Sequence, residues 1–231
     1  MERTLVPPVL PVKRTQLSHP LPLIKIMVFF DKKRGRLGRY PEEPLPVFDH
    51  FSKLAPHYDR LIQPPQNDHI RSYSRLPSSG RLLDAGGGTG RIAQRLIGQV
   101  DQIIVADQSV KMLREAKDKG SLFAVGSETE RLPFPDGCFS RILVVDAYHH
   151  VADQGSSLVE FWRVLEPGGR LVIEEPDIDR FAVKLIALAE KLTFFQSHFE
   201  RAEVIAERLS ALDARLEIHR HDHNAWIIAD K

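Results

Sequence analysis

The stretch RLLDAGGGTGR, residues 81–91, constrains this chain more than any other. Apolar residues run into an acid, then into a glycine cluster, then into IAQRLIG, whose apolar spacing is helical. That order predicts a buried strand, a tight turn and a helix N-terminus. Glycines there remove Cβ atoms so that a ligand can lie against the backbone, and the first helical N–H groups point at it. The predicted ligand is nucleotide-like or anionic.

Glycine spacing narrows the choice. A dinucleotide fingerprint needs its third glycine three places after the second, but Gly86, Gly88 and Gly90 alternate and that place is held by Arg91. Asp84, just before the turn, suits a ligand that presents an ammonium group. The stretch resembles the first motif of class I S-adenosylmethionine-dependent methyltransferases, an acid followed by G-x-G-x-G. The match continues in LPFPDGCFS before an apolar strand and in the R-V-L-x-P-G-G turn. From about residue 46 onward the chain is similar to the small-molecule branch that includes the ubiquinone and menaquinone methyltransferases.

Totals agree with one α/β domain. The chain has 231 residues, 42% hydrophobic and 27% charged, enough for one sizeable core and too little for a second full domain. A formal net charge of +1 gives no global attraction for nucleic acid, so no nucleic-acid partner is expected. One cysteine, Cys138, excludes an internal disulfide framework and a multi-cysteine metal site. No apolar run approaches the roughly 20 residues of a membrane span. The sequence therefore predicts a cytoplasmic protein without an integral membrane segment.

Residues 1–45 carry Pro7, Pro8, Pro11, Pro20 and Pro22 and are expected to be disordered, with Met27 a candidate native start. Lys32, Lys33, Arg34, Arg36 and Arg39 form a basic run that reads as a solvated tail. Residues 46–62 have helical apolar spacing and bear Tyr58, a residue for core packing or for the ligand pocket. QIIVADQS is a second strand ending in Asp107, followed by a helix closed by Gly120. An acid there can accept both hydroxyls of a ribose, through charge-assisted hydrogen bonds worth about 1.5–3 kcal/mol each. LFAV, ILVV and LVIEE supply the third, fourth and fifth strands, the fourth leading into Asp146, Ala147, Tyr148, His149 and His150.

Further on, Phe181, Leu185, Leu188, Leu192 and Phe195 form an apolar stripe that reads as a lid, a dimer face or plain core. EVIAERLSAL is a helix, and ARLEIHRH with NAWIIADK a final strand pair. His219, His221 and His223 alternate there. No defined ligand shell completes them, so no metal site is expected.

The resemblance implies a doubly wound, Rossmann-like, seven-stranded methyltransferase sheet with a C-terminal antiparallel strand, spanning residues 46–231. It implies S-adenosyl-L-methionine as cofactor and a small, apolar methyl acceptor. Asp84, Ala85, Gly86, Gly88 and Gly90 would hold the methionine part, Asp107 the ribose, and Glu128 with Thr129 the adenine. Gln108 and Met112 would flank the adenine ring, Met112 doubling as a core residue. Tyr58 and Asp146 complete the implied cofactor set. His149 is the candidate general base, or else a histidine that packs at the strand end. The chain departs from the quinone enzymes at YDRLI and at Glu175-Pro176-Asp177. Two rivals are a non-catalytic partner protein with this fold and a nucleotide-dependent oxidoreductase. Oligomeric state is not legible.

Overall fold

Continuous apolar runs bounded by glycine and acid residues become strands buried on both faces, as a parallel sheet requires. The computed structural model describes residues 28–31, 36–39, 69–180, 183 and 197–231. In chain order its strands are β1 (Val28–Asp31), β2 (Arg36–Arg39), β3 (Arg81–Ala85), β4 (Gln102–Asp107) and β5 (Leu122–Gly126). There follow β6 (Phe139–Val145), β7 (Leu165–Pro176), β8 (Arg215–His221) and β9 (Asn224–Asp230). The helices are α1 (His69–Tyr73), α2 (Val110–Asp118), α3 (Gln154–Val164) and α4 (Ala202–Ser210). Shorter 3₁₀ turns cover Ala93–Leu96 and Tyr148–His150.

One sheet contains all the described strands, in the order β2-β1-β5-β4-β3-β6-β7-β9-β8. Strands β3 to β7 are mutually parallel, while β9 runs antiparallel between β7 and β8. The seven strands from β3 to β9 are the expected sheet, with β9 its C-terminal antiparallel member. From β3 the chain builds outward to β4 and β5, then returns to place β6 on the other side of β3. That reversal opens a crevice at the carboxyl ends of β3 and β6, where ligands of such sheets bind.

The core is two-sided. On one face Leu83, Ile142, Ile173 and Ile227 pack with Leu158 and Phe161 of α3 and Ile205 and Leu209 of α4. On the other, Leu82, Ile103, Leu143, Val172 and Trp226 pack with Leu113 and Ala116 of α2. Full burial of each such leucine or isoleucine contributes about 1.5–3 kcal/mol. Asp153 caps α3 by accepting the Ser156 N–H at 3.0 Å, a contact worth about 1 kcal/mol.

Three details differ from the sequence expectation. The helix expected after the glycine turn is a single 3₁₀ segment, because Gly98, at φ +82, ends it soon after Leu96. The stretch expected to be disordered contains β1 and β2, an antiparallel pair joined to the β5 edge by parallel pairing of Val28 and Phe29 with Val125 and Gly126. The P-G-G turn belongs to β7, which starts at Leu165, with Gly168 at φ +80. Tyr58, the helix expected over 46–62, Met27 and the stripe from Phe181 to Phe195 lie outside the described residues. Among the described residues, no helix is long and apolar enough to cross a membrane.

Candidate functional site

Each glycine of the turn answers a different demand. Gly86, at φ +70, sits where a Cβ would come within 2.7 Å of the Ala147 Cβ at the end of β6. Gly90, also at φ +70, lies where a Cβ would meet Leu122 Cδ1 at 2.9 Å. Both are therefore required by packing as well as by the left-handed backbone. Gly88 is the open one: at φ +55 its nearest neighbour would be Asp107 Oδ2, 4.0 Å away. Gly87, which the alternating motif passes over, lies so close above Asp84 that a Cβ would stand 2.6 Å from the carboxylate.

Beneath that turn Asp84 is 1% exposed, and among the described residues its Oδ2 has no hydrogen-bond partner. Burial pushes its carboxyl up to about 7, opposed by Arg91 and by the Ala93 N–H, with Asp107 adding a further upward push. An unpartnered buried acceptor costs about 1–3 kcal/mol. A ligand bringing an ammonium group offsets that cost, so the site fits the methionine end of S-adenosylmethionine. Asp107 faces the turn from β4, its Oδ2 accepting the Gly88 N–H at 2.9 Å and its Oδ1 the Ser109 N–H at 2.7 Å. Two amides thus fix the carboxylate at the strand tip.

Other expected cofactor residues divide. Ala85 is fully buried in the core, Met112 is buried, and Gln108 and Glu128 are exposed. Thr129 is turned toward α3, its hydroxyl 2.9 Å from Ser157 Oγ. Next to it, Ser127 holds the Asp107 carbonyl through its N–H at 3.0 Å, and its buried Oγ has no hydrogen-bond partner among the described residues. Asp146 adopts φ +53 and lies 3.7 Å from Arg91 Nη2. Its N–H reaches the Glu174 carbonyl at 2.9 Å, which ties the end of β6 to β7.

Glu174 and Glu175, successive residues of β7, were not read from the sequence as site residues. Glu174 is 3% exposed; burial, then Asp146, push its carboxyl up to about 7, while Asn224 donates to its Oε1. Glu175 is 5% exposed and points to the other face. Its Oε1 accepts the Ala147 and Tyr148 N–H groups at 3.0 and 2.7 Å, and its Oε2 the His149 N–H at 3.2 Å. His149 Nδ1 lies 2.5 Å from the same Oε2. The His149 ring, 3% exposed, stacks on Phe199 at 4.5 Å and meets His150 at 4.0 Å. Burial first, and His149 second, push His150 down to about 3, so it stays neutral at physiological pH. A pair of acids at a strand end facing the sheet reversal was the available signal.

The C-terminal histidines are engaged elsewhere. His219 and His221 share a face of β8 and stack against Tyr73 and His69, with Tyr73 Oη 2.5 Å from His221 Nε2. His223 sits in the turn beyond β8, its carbonyl accepting the Asp177 N–H at 2.7 Å. Among the described residues, no group of three histidine, cysteine, aspartate or glutamate side chains is placed to hold a metal ion.

Part of this chain resembles known proteins. Residues 83–173 match the family described as "Methyltransferase domain". The ubiquinone/menaquinone biosynthesis C-methyltransferase UbiE of Marinomonas sp. (strain MWYL1) is 36% identical over 117 residues, 46% of this chain and 47% of that protein. The chain spans about half the length of the curated relatives it matches. Among solved structures, a SAM-dependent methyltransferase from Aquifex aeolicus superposes with a TM-score of 0.60 at 17% identity, covering 78% of this chain and 96% of that one. The [4+2]-cyclase SpnF superposes with a TM-score of 0.60 at 19% identity, covering 71% and 78%. At such identities the structural likeness carries the fold alone. Residues 83–173 thus resemble a methyltransferase domain, and the sheet that carries them is Rossmann-like.

Proposed function

We propose that this chain transfers a methyl group from S-adenosyl-L-methionine to a small, apolar acceptor, with carbon as the favoured acceptor atom. The observation that carries the proposal is Asp84 and Asp107 on adjacent strands, bracketing an open glycine at the sheet reversal. The cofactor supplies an electrophilic methyl group, displaced in line from a sulfonium whose departing electron pair stays on sulfur. Asp84, under Gly87, balances the ammonium and sulfonium charge. Gly88 lets the ligand lie on the turn, and Asp107 accepts the ribose hydroxyls. Asp146 and Ala147 border the methyl from the end of β6. Ser127 and Glu128 stand where the adenine edge is expected; Thr129 supports that loop through Ser157.

His149 takes the acceptor's proton. Its share is secondary: holding acceptor and methyl in line supplies about 7–11 kcal/mol of the barrier, against about 3–5 kcal/mol for a base. The name of the UbiE relatives supports carbon as acceptor atom, while Glu175-Pro176-Asp177 stands where the quinone enzymes differ, so the proposal does not extend to quinone specificity. A net charge of +1 supports a small-molecule acceptor over nucleic acid, and the single cysteine fits a cytoplasmic setting.

Calorimetry with S-adenosylhomocysteine tests the first half of the proposal; folded protein that binds none of it sinks the reading. Cofactor consumption across a panel of quinols, phenols and small acids tests the second half. Tight binding without consumption throughout that panel would point to a non-catalytic, cofactor-binding partner protein.

A further inference from the structure

We infer that Glu175 is the positioning residue of a buried Glu175–His149 pair, fixing His149 in the Nδ1–H tautomer so that Nε2 is the ring atom that accepts a proton. The inference rests on the proposed role of His149 and deepens it.

The argument is an account of hydrogen bonds. A carboxylate is acceptor-only, with about four lone-pair sites. Glu175 meets four donors' worth of partners: the N–H groups of Ala147, Tyr148 and His149, and the His149 ring. The three backbone groups can only donate. At 2.5 Å the ring nitrogen must share a hydrogen with Oε2, and since the amides already direct their hydrogens at the carboxylate, that hydrogen belongs to Nδ1. With Nδ1 protonated, a neutral imidazole carries its lone pair on Nε2. The three amide bonds hold the carboxylate to the backbone of the segment that bears the histidine. Glu175 and His149 therefore cannot drift apart while the 3₁₀ turn Tyr148–His150 stands. Phe199, stacked on the ring at 4.5 Å, and His150, tilted against it at 4.0 Å, restrict its rotation.

This division of labour matches the general scheme in which a buried acid orients a histidine, sets its tautomer and stabilises the imidazolium that forms. The acid itself gains no proton. In the proposed reaction the bond from sulfur to methyl breaks, the bond from acceptor to methyl forms, and the acceptor's proton moves to His149 Nε2, leaving an imidazolium beside the Glu175 carboxylate. No oxidant or further reactant is needed.

Among the described residues, the titratable groups that meet the ring come from two elements. Glu175 faces it from β7 and His150 from its own turn. His198 donates its N–H to the His149 carbonyl at 2.7 Å, and Gln154 of α3 holds the Tyr148 and His198 carbonyls at 3.0 and 2.7 Å.

Long-range ¹H–¹⁵N spectra of the full chain, with His149 assigned through His149→Gln, read the tautomer directly. The expected wild-type pattern is a protonated Nδ1 and an unprotonated Nε2. In Glu175→Gln the carboxamide oxygen still accepts backbone N–H groups, but its NH₂ faces the ring. The pattern should invert to an unprotonated Nδ1, and the ring's titration midpoint should fall by about 1–3 pH units. A wild-type ring protonated on Nε2 overturns the inference without any variant, so a Glu175→Gln protein that fails to fold does not shelter it. An unchanged tautomer and midpoint in folded Glu175→Gln also overturns it. Calorimetry with S-adenosylhomocysteine on the same samples separates the two readings. Loss of binding in wild type defeats the methyltransferase proposal, whereas an inverted tautomer with binding retained within about threefold supports Glu175 as a positioning residue outside the cofactor contacts.

Discussion

Glu174 and Glu175 are neighbours in sequence, alike in chemistry and alike in burial, yet the sheet places them in opposite circumstances. Glu175 points to the face of α3 and α4 and meets three amides and an imidazole. Glu174 points to the face of Asp84 and Arg91, with Asn224 as its side-chain donor and Asp146 as a like-charged neighbour. Because exposure is nearly equal at 3% and 5%, burial alone does not distinguish them. The difference is the supply of donors: a buried carboxyl surrounded by N–H groups is a fixed acceptor, and one beside another acid becomes a titrating group. One face of β7 thus surrounds its carboxylate with N–H donors, and the other leaves its carboxyl beside a second acid.

The largest test of this contrast is Glu175→Ala. It strips the acceptor from three amides and a buried ring and should cost about 3–5 kcal/mol in urea unfolding. A loss below about 1 kcal/mol would mean that the four contacts are incidental.

Asp107→Ala comes next. It should weaken S-adenosylhomocysteine binding by about 10- to 100-fold, the worth of one or two charge-assisted hydrogen bonds, with little change in the His149 spectrum. Unchanged affinity would put the ribose elsewhere. Gly86→Ala is smaller and different in kind: a Cβ 2.7 Å from Ala147 at φ +70 should cost about 1–2 kcal/mol of stability. Gly88→Ala has room for its Cβ, so it should disturb cofactor affinity more than Gly86→Ala does, relative to its effect on folding.

A further set of effects is in pH. Asp84 and Glu174 both have folded-state values of about 7, above those of an unfolded chain. The folded protein therefore binds more protons between the unfolded carboxylate range and about 7, so stability without cofactor should fall as pH rises through that window. Glu174→Gln should flatten the slope without abolishing it, since Asp84 titrates in the same range. Urea midpoints measured across the window decide this; an equally steep slope in the variant would show that Glu174 does not titrate there. An ammonium group beside Asp84 favours the carboxylate, so binding S-adenosylhomocysteine through its ammonium near pH 7 should release protons. Calorimetry in two buffers of different ionisation enthalpy detects that release.

Several of these groups were visible in the sequence and several were not. Asp84 and Asp107 were legible because each ends an apolar run beside a turn, and one crossover separates them. His149 was legible as a strand-end histidine, but its partner lies 26 residues away on another strand, and nothing local links the two. Arg91 entered the sequence reading only as the residue that breaks a glycine pattern, whereas the fold uses it opposite Asp146. Gly87 looked like a spacer; contact with Asp84 gives it a reason. Thr129 illustrates the converse, a motif position whose hydroxyl the fold turns toward Ser157 of α3.

What the sequence determined by itself was the succession of strands and turns. Apolar periodicity, glycine placement and capping residues act over a few positions and are written in the order of the residues. Tertiary structure alone decided which carboxyl is saturated and which is left to titrate. Hydrogen-bond supply and desolvation depend on groups brought together from distant strands, and the same glutamate changes character when its side chain crosses from one face of the sheet to the other.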